Sequence, residues 1–289
     1  MASDLERFVS GHDRFCSFLI GVCQGFLPIR DVAPARCRGV VEVWQSDRVS
    51  APSPRAEVAV IGGSGFYEFL DDPTTVDVAT PYGPPSAPLT LGEVAGRRVA
   101  FVPRHGRNHE FPPHRVNYRA NLWALRKVGV RQVLAPAAVG SLRPELGPGT
   151  FVVPDQVIDR TWGRAHTLYD EIGHVVHVGF ADPYCPRGRA AILAAGDGPV
   201  QPVDGGTLVV IQGPRFSTKA ESRMHQSFGG TIVGMTGVPE ASVARDLALC
   251  YSTVCLVTDH DAGVDGGEAV SHHEVLAQFA ANIEVLKAL

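Results

Sequence analysis

The chain has 289 residues, 45% of them hydrophobic, with 26 Lys plus Arg against 30 Asp plus Glu. That length accommodates one or two domains with a sizeable core, and the hydrophobic share excludes a disordered chain. A formal charge of −4 gives no long-range pull toward nucleic acid or anionic membrane, so neither is expected as a partner. The 31 Gly and 22 Pro follow no period, which excludes collagen-like repeats.

Residues 1–55 differ in character from the remainder of the chain. They end in the linker-like run Val49-Ser50-Ala51-Pro52-Ser53-Pro54. Residues 15–29 are apolar, but Gly21, Gln24, Gly25 and Pro28 interrupt them. The stretch is too short to span a bilayer and lacks the basic start of a signal peptide. The reading is an N-terminal extension over 1–55, partly disordered, ahead of one domain over 56–289. Six Cys (16, 23, 37, 185, 250 and 255) form no C-x-x-C pair, so buried reduced thiols in a cytoplasmic protein are expected rather than a zinc or disulfide framework.

From residue 57 strands and helices alternate. The apolar run 58–61, ended by glycines, predicts a buried strand, and 98–103 repeats it. Leu122, Leu125 and Val128 recur at helical spacing, which predicts a helix over 117–128 stopped by Gly129. Strands are expected over 130–135 and 208–211. Ser217 is expected to cap a helix to about 228, and Pro239 sits in the first turn of a helix to about 249. Residues 250–258 read as one β-rich run and 271–289 as a final amphipathic helix. This order predicts an α/β fold with a central mixed, mainly parallel sheet flanked by helices. In such sheets ligands bind beyond the strand ends, which is where chemistry is sought.

Four strand-end segments carry candidate chemistry. Ile61-Gly62-Gly63-Ser64-Gly65 can close backbone N–H groups on an anion, or be only a tight turn. No Gly-Lys-Ser/Thr follows, and no third dinucleotide-binding Gly. Pro103-Arg104-His105-Gly106-Arg107-Asn108-His109 gathers basic and ring groups suited to an anion, with a metal on His105, His109 and His114 a weak competitor. In Thr258-Asp259-His260-Asp261, residues two apart on an extended segment share a face, so two carboxylates point into one pocket. Like charges there raise one pKa and produce a proton donor; a solvated acidic turn is the alternative. Gly234-Met235-Thr236-Gly237-Val238-Pro239-Glu240 reads as a strand–loop–helix junction with a hydroxyl at the turn.

Together with Ala135-Pro136-Ala137-Ala138-Val139-Gly140-Ser141, Val116-Asn117-Tyr118-Arg119-Ala120-Asn121, Asp182-Pro183-Tyr184-Cys185-Pro186 and Gln212-Gly213-Pro214-Arg215-Phe216-Ser217, these segments resemble the trimeric purine nucleoside phosphorylases. The 5′-methylthioadenosine phosphorylase branch is the nearest, over residues 58–289. The resemblance implies a pentosyltransferase in which inorganic phosphate attacks C1′ of the nucleoside, releasing adenine and 5-methylthioribose 1-phosphate. It implies no metal or organic cofactor, and a cytoplasmic homotrimer in purine and methionine salvage. Adenosine or another 5′-modified 5′-deoxyadenosine is the alternative substrate.

The same resemblance implies site residues. Ser64, Arg104, His105, Ala137, Ala138 and Thr236 match phosphate-binding positions, and Met235 a ribose contact. Phe216 and Ser217 match the purine pocket. Asp259 and Asp261 match the catalytic, adenine-recognising carboxylates. His177, His272 and Val275 match the lining of the 5′ pocket. Ala137 stands where animal members carry Thr, which implies weaker phosphate binding. His272 replaces a small apolar residue, which implies more tolerance of a polar 5′ group.

Overall fold

A computed structural model describes residues 55–62, 70–173, 175–196, 201–264 and 282. Thirteen strands run in chain order among them. They are β1 (Val58–Gly62), β2 (Asp71–Val76), β3 (Leu89–Val94), β4 (Arg97–Pro103), β5 (Gln132–Leu134), β6 (Ala137–Ser141) and β7 (Phe151–Val153). The rest are β8 (Gln156–Arg160), β9 (Val203–Asp204), β10 (Thr207–Ile211), β11 (Ile232–Gly234), β12 (Cys250–Ser252) and β13 (Cys255–His260). The α-helices are α1 (Tyr118–Lys127), α2 (Pro186–Ala195), α3 (Lys219–Ser227) and α4 (Gly237–Asp246). The expected α/β class with mainly parallel pairing is borne out. The strands, however, divide between a six-stranded sheet, β12-β5-β1-β4-β3-β2, and a seven-stranded one, β8-β10-β11-β6-β13-β7-β9.

Local chemistry explains the elements. Asn117 caps α1, its side chain accepting from Ala120 N, and Leu122 and Leu125 are buried at helical spacing. The cap of α3 is Thr218, one residue later than expected. Glu221 at the third helical position completes a reciprocal capping box with Thr218, a geometry that Ser217 cannot make with Ala220. The helix containing Pro239 starts at Gly237 and is capped at Leu247.

The run 250–258 is not one strand. It crosses from one sheet to the other at Thr253-Val254, and residues 135–136 cross beside it between β5 and β6. The crossings hold each other: Ala135 N donates to Ser252 O at 2.9 Å, Ala137 N to Val254 O at 3.1 Å, and Thr253 Oγ1 to Ala135 O at 2.6 Å. Uniform apolar character hid the break, because both halves are buried.

The expectation of reduced thiols is corrected at one pair. Cys185, the N-cap of α2, meets Cys250 on β12 in a disulfide, with Cα atoms 5.3 Å apart across 65 residues of sequence. Cys185 N donates to Tyr251 O at 2.8 Å, which docks the start of α2 on β12 and brings the sulfurs together. Cys255 is a free buried thiol, its pKa pushed up to about 12 by burial. Residues 1–54 and, apart from residue 282, the expected final helix lie outside the described residues. Among the described residues no helix is long and apolar enough to cross a membrane.

Candidate active site

The place where both strand pairs change sheets is a cleft. Ala135, Ala137 and Thr253 line it from the crossings, Arg104 from the end of β4, and Met235, Thr236 and Gly237 from the start of α4. Strand ends, the turn leading into a helix and an arginine therefore line one cleft.

Arg104 is buried, at 3% exposure. Its Nε and Nη2 donate to Glu240 Oε2 and Oε1 at 2.8 and 2.9 Å, Nη2 also to Ile61 O and Nη1 to Pro136 O, both at 3.2 Å. Tyr251 OH donates to Glu240 Oε1 at 2.8 Å. The forked edge expected to face an anion is thus turned onto Glu240. Four of the five guanidinium N–H groups have acceptors among the described residues, leaving one on Nη1 at the cleft. Glu240 holds the guanidinium charged despite its burial, so Arg104 is a fixed cation.

Backbone donors supply the rest. Ala137 lines the cleft, but its N–H is committed to Val254 O. Pairing in β6 alternates sides, so Ala138 presents its N–H to the opposite edge, where β11 has ended at Gly234. Of the two expected alanines it is Ala138 whose N–H can meet a ligand. Thr236 precedes α4 and makes no side-chain capping bond, so its hydroxyl can serve the cleft; Val238 is extended (φ −128°, ψ 137°), so regular helix begins only at Pro239. Beside Thr236 lies Met235, its sulfur 2.6 Å from where a Cβ on Gly213 would stand. Only glycine fits at that position, which also has a φ of +60°. The contact joins the expected ribose and purine segments.

Asp259 and Asp261 both lie against Gly140. A Cβ on Gly140 would meet Asp259 Oδ2 at 3.0 Å and Asp261 Cβ at 3.6 Å. Gly140 leaves that space open, and a bulge between Val257 and Asp259 shifts the register of β13 against β6 there. Asp259 Oδ1 accepts from Thr258 Oγ1 at 2.7 Å. Asp261 is 3% exposed, and its Oδ2 has no hydrogen-bond partner among the described residues. Ser217 Oγ is in the same condition. Phe216 is half-buried on the loop before α3, which Arg215 ties to Glu221 at 2.7 and 2.8 Å. That pair and the capping bonds hold the Glu221 carboxyl down at about 2.

His105 is neutral at ordinary pH. Burial and the adjacent Arg104 pull its pKa down to about 4, and Nδ1 lies 2.8 Å from Phe111 O, so Nδ1–H donates and Nε2 is left as an acceptor. Its ring stacks on His109 at 4.7 Å, and among the described residues no three His, Cys, Asp or Glu side chains gather as a metal site. His177 is not brought to the cleft. It lies on an exposed segment whose Gly179 carbonyl accepts from Arg245 at 3.1 Å, near the C-terminal end of α4. That end is about 12 Å of helix from Thr236. Ser64, His272 and Val275 lie outside the described residues.

The profile of the Phosphorylase superfamily matches residues 57–289. The chain belongs to that superfamily. Among its relatives, a purine nucleoside phosphorylase of Streptomyces coelicolor is 64% identical over 241 residues, 81% of this chain and 86% of that one. An S-methyl-5′-thioadenosine phosphorylase of Mycolicibacterium smegmatis is 59% identical over 233 residues, 80% of this chain and 88% of that one. A methylthioadenosine phosphorylase from an Antarctic soil metagenomic library superposes with a TM-score of 0.76 at 40% identity, covering 81% of this chain and 85% of that one. The enzyme of Schistosoma mansoni in complex with adenine gives 0.75 at 38% identity, covering 81% and 89%.

Sequence reasoning about this phosphorylase missed Glu240, although the segment containing it stood out. A carboxylate in the first turn of a helix has an ordinary explanation as a dipole partner, and its pairing with Arg104, 136 residues away, leaves no local sign. Gly140 and Tyr251 were missed for the same reason.

Proposed function

We propose that the chain is a phosphate-dependent nucleoside phosphorylase that cleaves S-methyl-5′-thioadenosine to adenine and 5-methylthioribose 1-phosphate. The observation that carries this reading is the arrangement of the cleft. A fixed arginine, the Ala138 N–H beyond the end of β11 and the Thr236 hydroxyl can form an anion site, and Asp259 and Asp261, both against Gly140, can form the other recognition group.

Phosphate held at Arg104, Ala138 and Thr236 stands opposite the base. As the glycosidic bond lengthens, positive charge grows on the sugar and negative charge on the purine. The bound anion stabilises the sugar cation and is already aligned for attack at C1′, which lowers the entropic barrier. Asp259, when protonated, donates to the departing purine, and Asp261 accepts from the exocyclic amine of adenine. A 6-oxopurine offers an acceptor there and leaves a buried carboxylate unpaired, so it is rejected. No metal or organic cofactor takes part in this scheme.

A homotrimer belongs to the same reading. His177 stands among exposed apolar side chains, Val175 at 79%, Val176 at 48% and Val178 at 38%. Such a segment on a second copy can close the 5′ end of a neighbour's site. A cytoplasmic role in nucleoside salvage, with residues 1–55 dispensable for the core, completes the proposal.

A second reading, adenosine as the main substrate, is favoured by a Schistosoma structure described as an adenosine/methylthioadenosine phosphorylase. Adenine release from each nucleoside, measured with and without phosphate, tests both. Release without phosphate overturns phosphorolysis, and a higher kcat/KM for adenosine selects the second reading.

A further inference from the structure

Arg164 has no role in the scheme above, yet it is buried at 9% exposure. No carboxylate lies within ion-pair distance of it among the described residues. Neutral acceptors surround it instead. Nη1 donates to Met235 O at 3.0 Å and Val238 O at 2.7 Å, Nη2 to Gln212 O at 2.8 Å, and Nε to Gln212 Oε1 at 3.2 Å. Its guanidinium lies 5.7 Å from the centre of the Tyr118 ring. Burial of a cation among neutral acceptors, the Tyr118 hydroxyl at 3.4 Å included, is costly, and burial pulls its pKa down although Tyr118 and Asp159 oppose the shift. Such an arrangement calls for an account of what it achieves.

The strand register supplies one. β11 and β6 pair antiparallel, with Val233 opposite Gly140, and Leu142 N donates to Thr231 O at 3.0 Å. Rungs of this kind recur every second residue, so the next one joins Met235 to Ala138. It is not formed. The Met235 carbonyl that would accept from Ala138 N–H is held by Arg164, and the β11–β6 ladder stops at the Val233–Gly140 pair. Because a trans peptide sets C=O and N–H in opposite directions, the same capture turns the Thr236 N–H away from Arg164.

We propose that Arg164 is a positioning residue for the phosphate site. By capturing the Met235 carbonyl it withholds the last rung of the β11–β6 ladder and keeps the Ala138 N–H open to the anion. This rests on the phosphorolysis reading for the identity of the anion, but the effect on the ladder does not depend on it.

The test is amide hydrogen exchange at Ala138, with Gly140 as internal reference and inorganic phosphate as probe. In the wild type without phosphate, Ala138 exchanges much faster than Gly140, and phosphate slows it. In Arg164→Gln the rung closes, so Ala138 is slow with or without phosphate. In steady state, Arg164→Gln raises the phosphate KM about 10-fold more than the nucleoside KM, the scale of one hydrogen bond to a charged group. A merely structural role predicts a lower Tm with both KM values moving together, and that result overturns the proposal. So does slow Ala138 exchange in the phosphate-free wild type, a measurement that stands even if Arg164→Gln does not fold. Arg164→Lys, which keeps the charge but cannot span the carbonyls, is expected to behave as Arg164→Gln. Wild-type adenine release is assayed separately. Its failure overturns the functional reading, while the phosphate-free exchange comparison still decides the ladder.

Discussion

Glu240 holds Arg104 by two hydrogen bonds, at 2.8 and 2.9 Å, with both side chains almost wholly buried. The carboxylate occupies the edge of the guanidinium that pairs best with an oxyanion. In the proposed scheme phosphate therefore meets a cation that is rigid and already part-neutralised, and the site relies correspondingly more on the Ala138 and Thr236 donors.

Glu240→Gln keeps the shape and removes the counter-charge. Breaking a buried pair from one side costs about 3–5 kcal/mol, so the Tm is expected to fall well below that of the wild type. Added phosphate is expected to restore more of it in the variant than in the wild type, because the anion supplies the missing charge. Equal phosphate-induced shifts in thermal melts would contradict the account.

Asp259→Asn and Asp261→Asn are each expected to lower turnover of adenine nucleosides by about 10²–10⁴-fold, the range for a lost proton donor or its partner. Arg107 is exposed beside the same strand end as Arg104, and Arg107→Ala is expected to leave turnover nearly unchanged. Equal, small losses in all three would make the acidic pair a solvated turn.

Gly140→Ala tests the placement of those carboxylates. The added methyl lies 3.0 Å from Asp259 Oδ2 and 3.3 Å from Val233 Cγ1, tight enough that the side chains must give by a few tenths of an ångström. Displacing the carboxylate is expected to reduce kcat about 10- to 100-fold, with little effect on the phosphate KM. An unaltered kcat would show that Asp259 need not be placed so closely.

His105 gives stability a pH dependence. Its pKa is about 4 in the folded chain against 6.5 when unfolded. Above 6.5 both states are neutral and stability is complete. As pH falls from 6.5 toward 4 the unfolded chain takes up a proton that the folded chain refuses, and stability declines. Urea unfolding at pH 7 and pH 5 should show a smaller drop for His105→Asn than for the wild type. The same drop in both would assign the effect elsewhere.

His177→Ala is expected to raise the nucleoside KM without changing the phosphate KM, if the segment from a second copy closes the 5′ end. Sedimentation should show a trimer. A fully active monomer would remove that role from His177.

Several features were legible because their cause is local. The apolar run at β1, the helical spacing of Leu122 and Leu125 in α1 and the glycine-bounded turn after β10 each follow from neighbours in the chain. The positions of Arg104, Thr236, Asp259 and Asp261 at strand or helix ends followed from the same reading, reinforced by family resemblance. The division into two sheets did not, because hydrogen bonds between Ala135 and Ser252, or Ala137 and Val254, join segments that no periodicity relates. Nor did the Cys185–Cys250 bond, which depends on α2 docking against β12. Arg164 marks the limit most clearly. Its partners are mainly main-chain carbonyls 47 to 74 residues away, and every residue type carries a carbonyl. Side-chain chemistry can be read along a chain, but which backbone groups stay unpaired is settled only when distant strands meet.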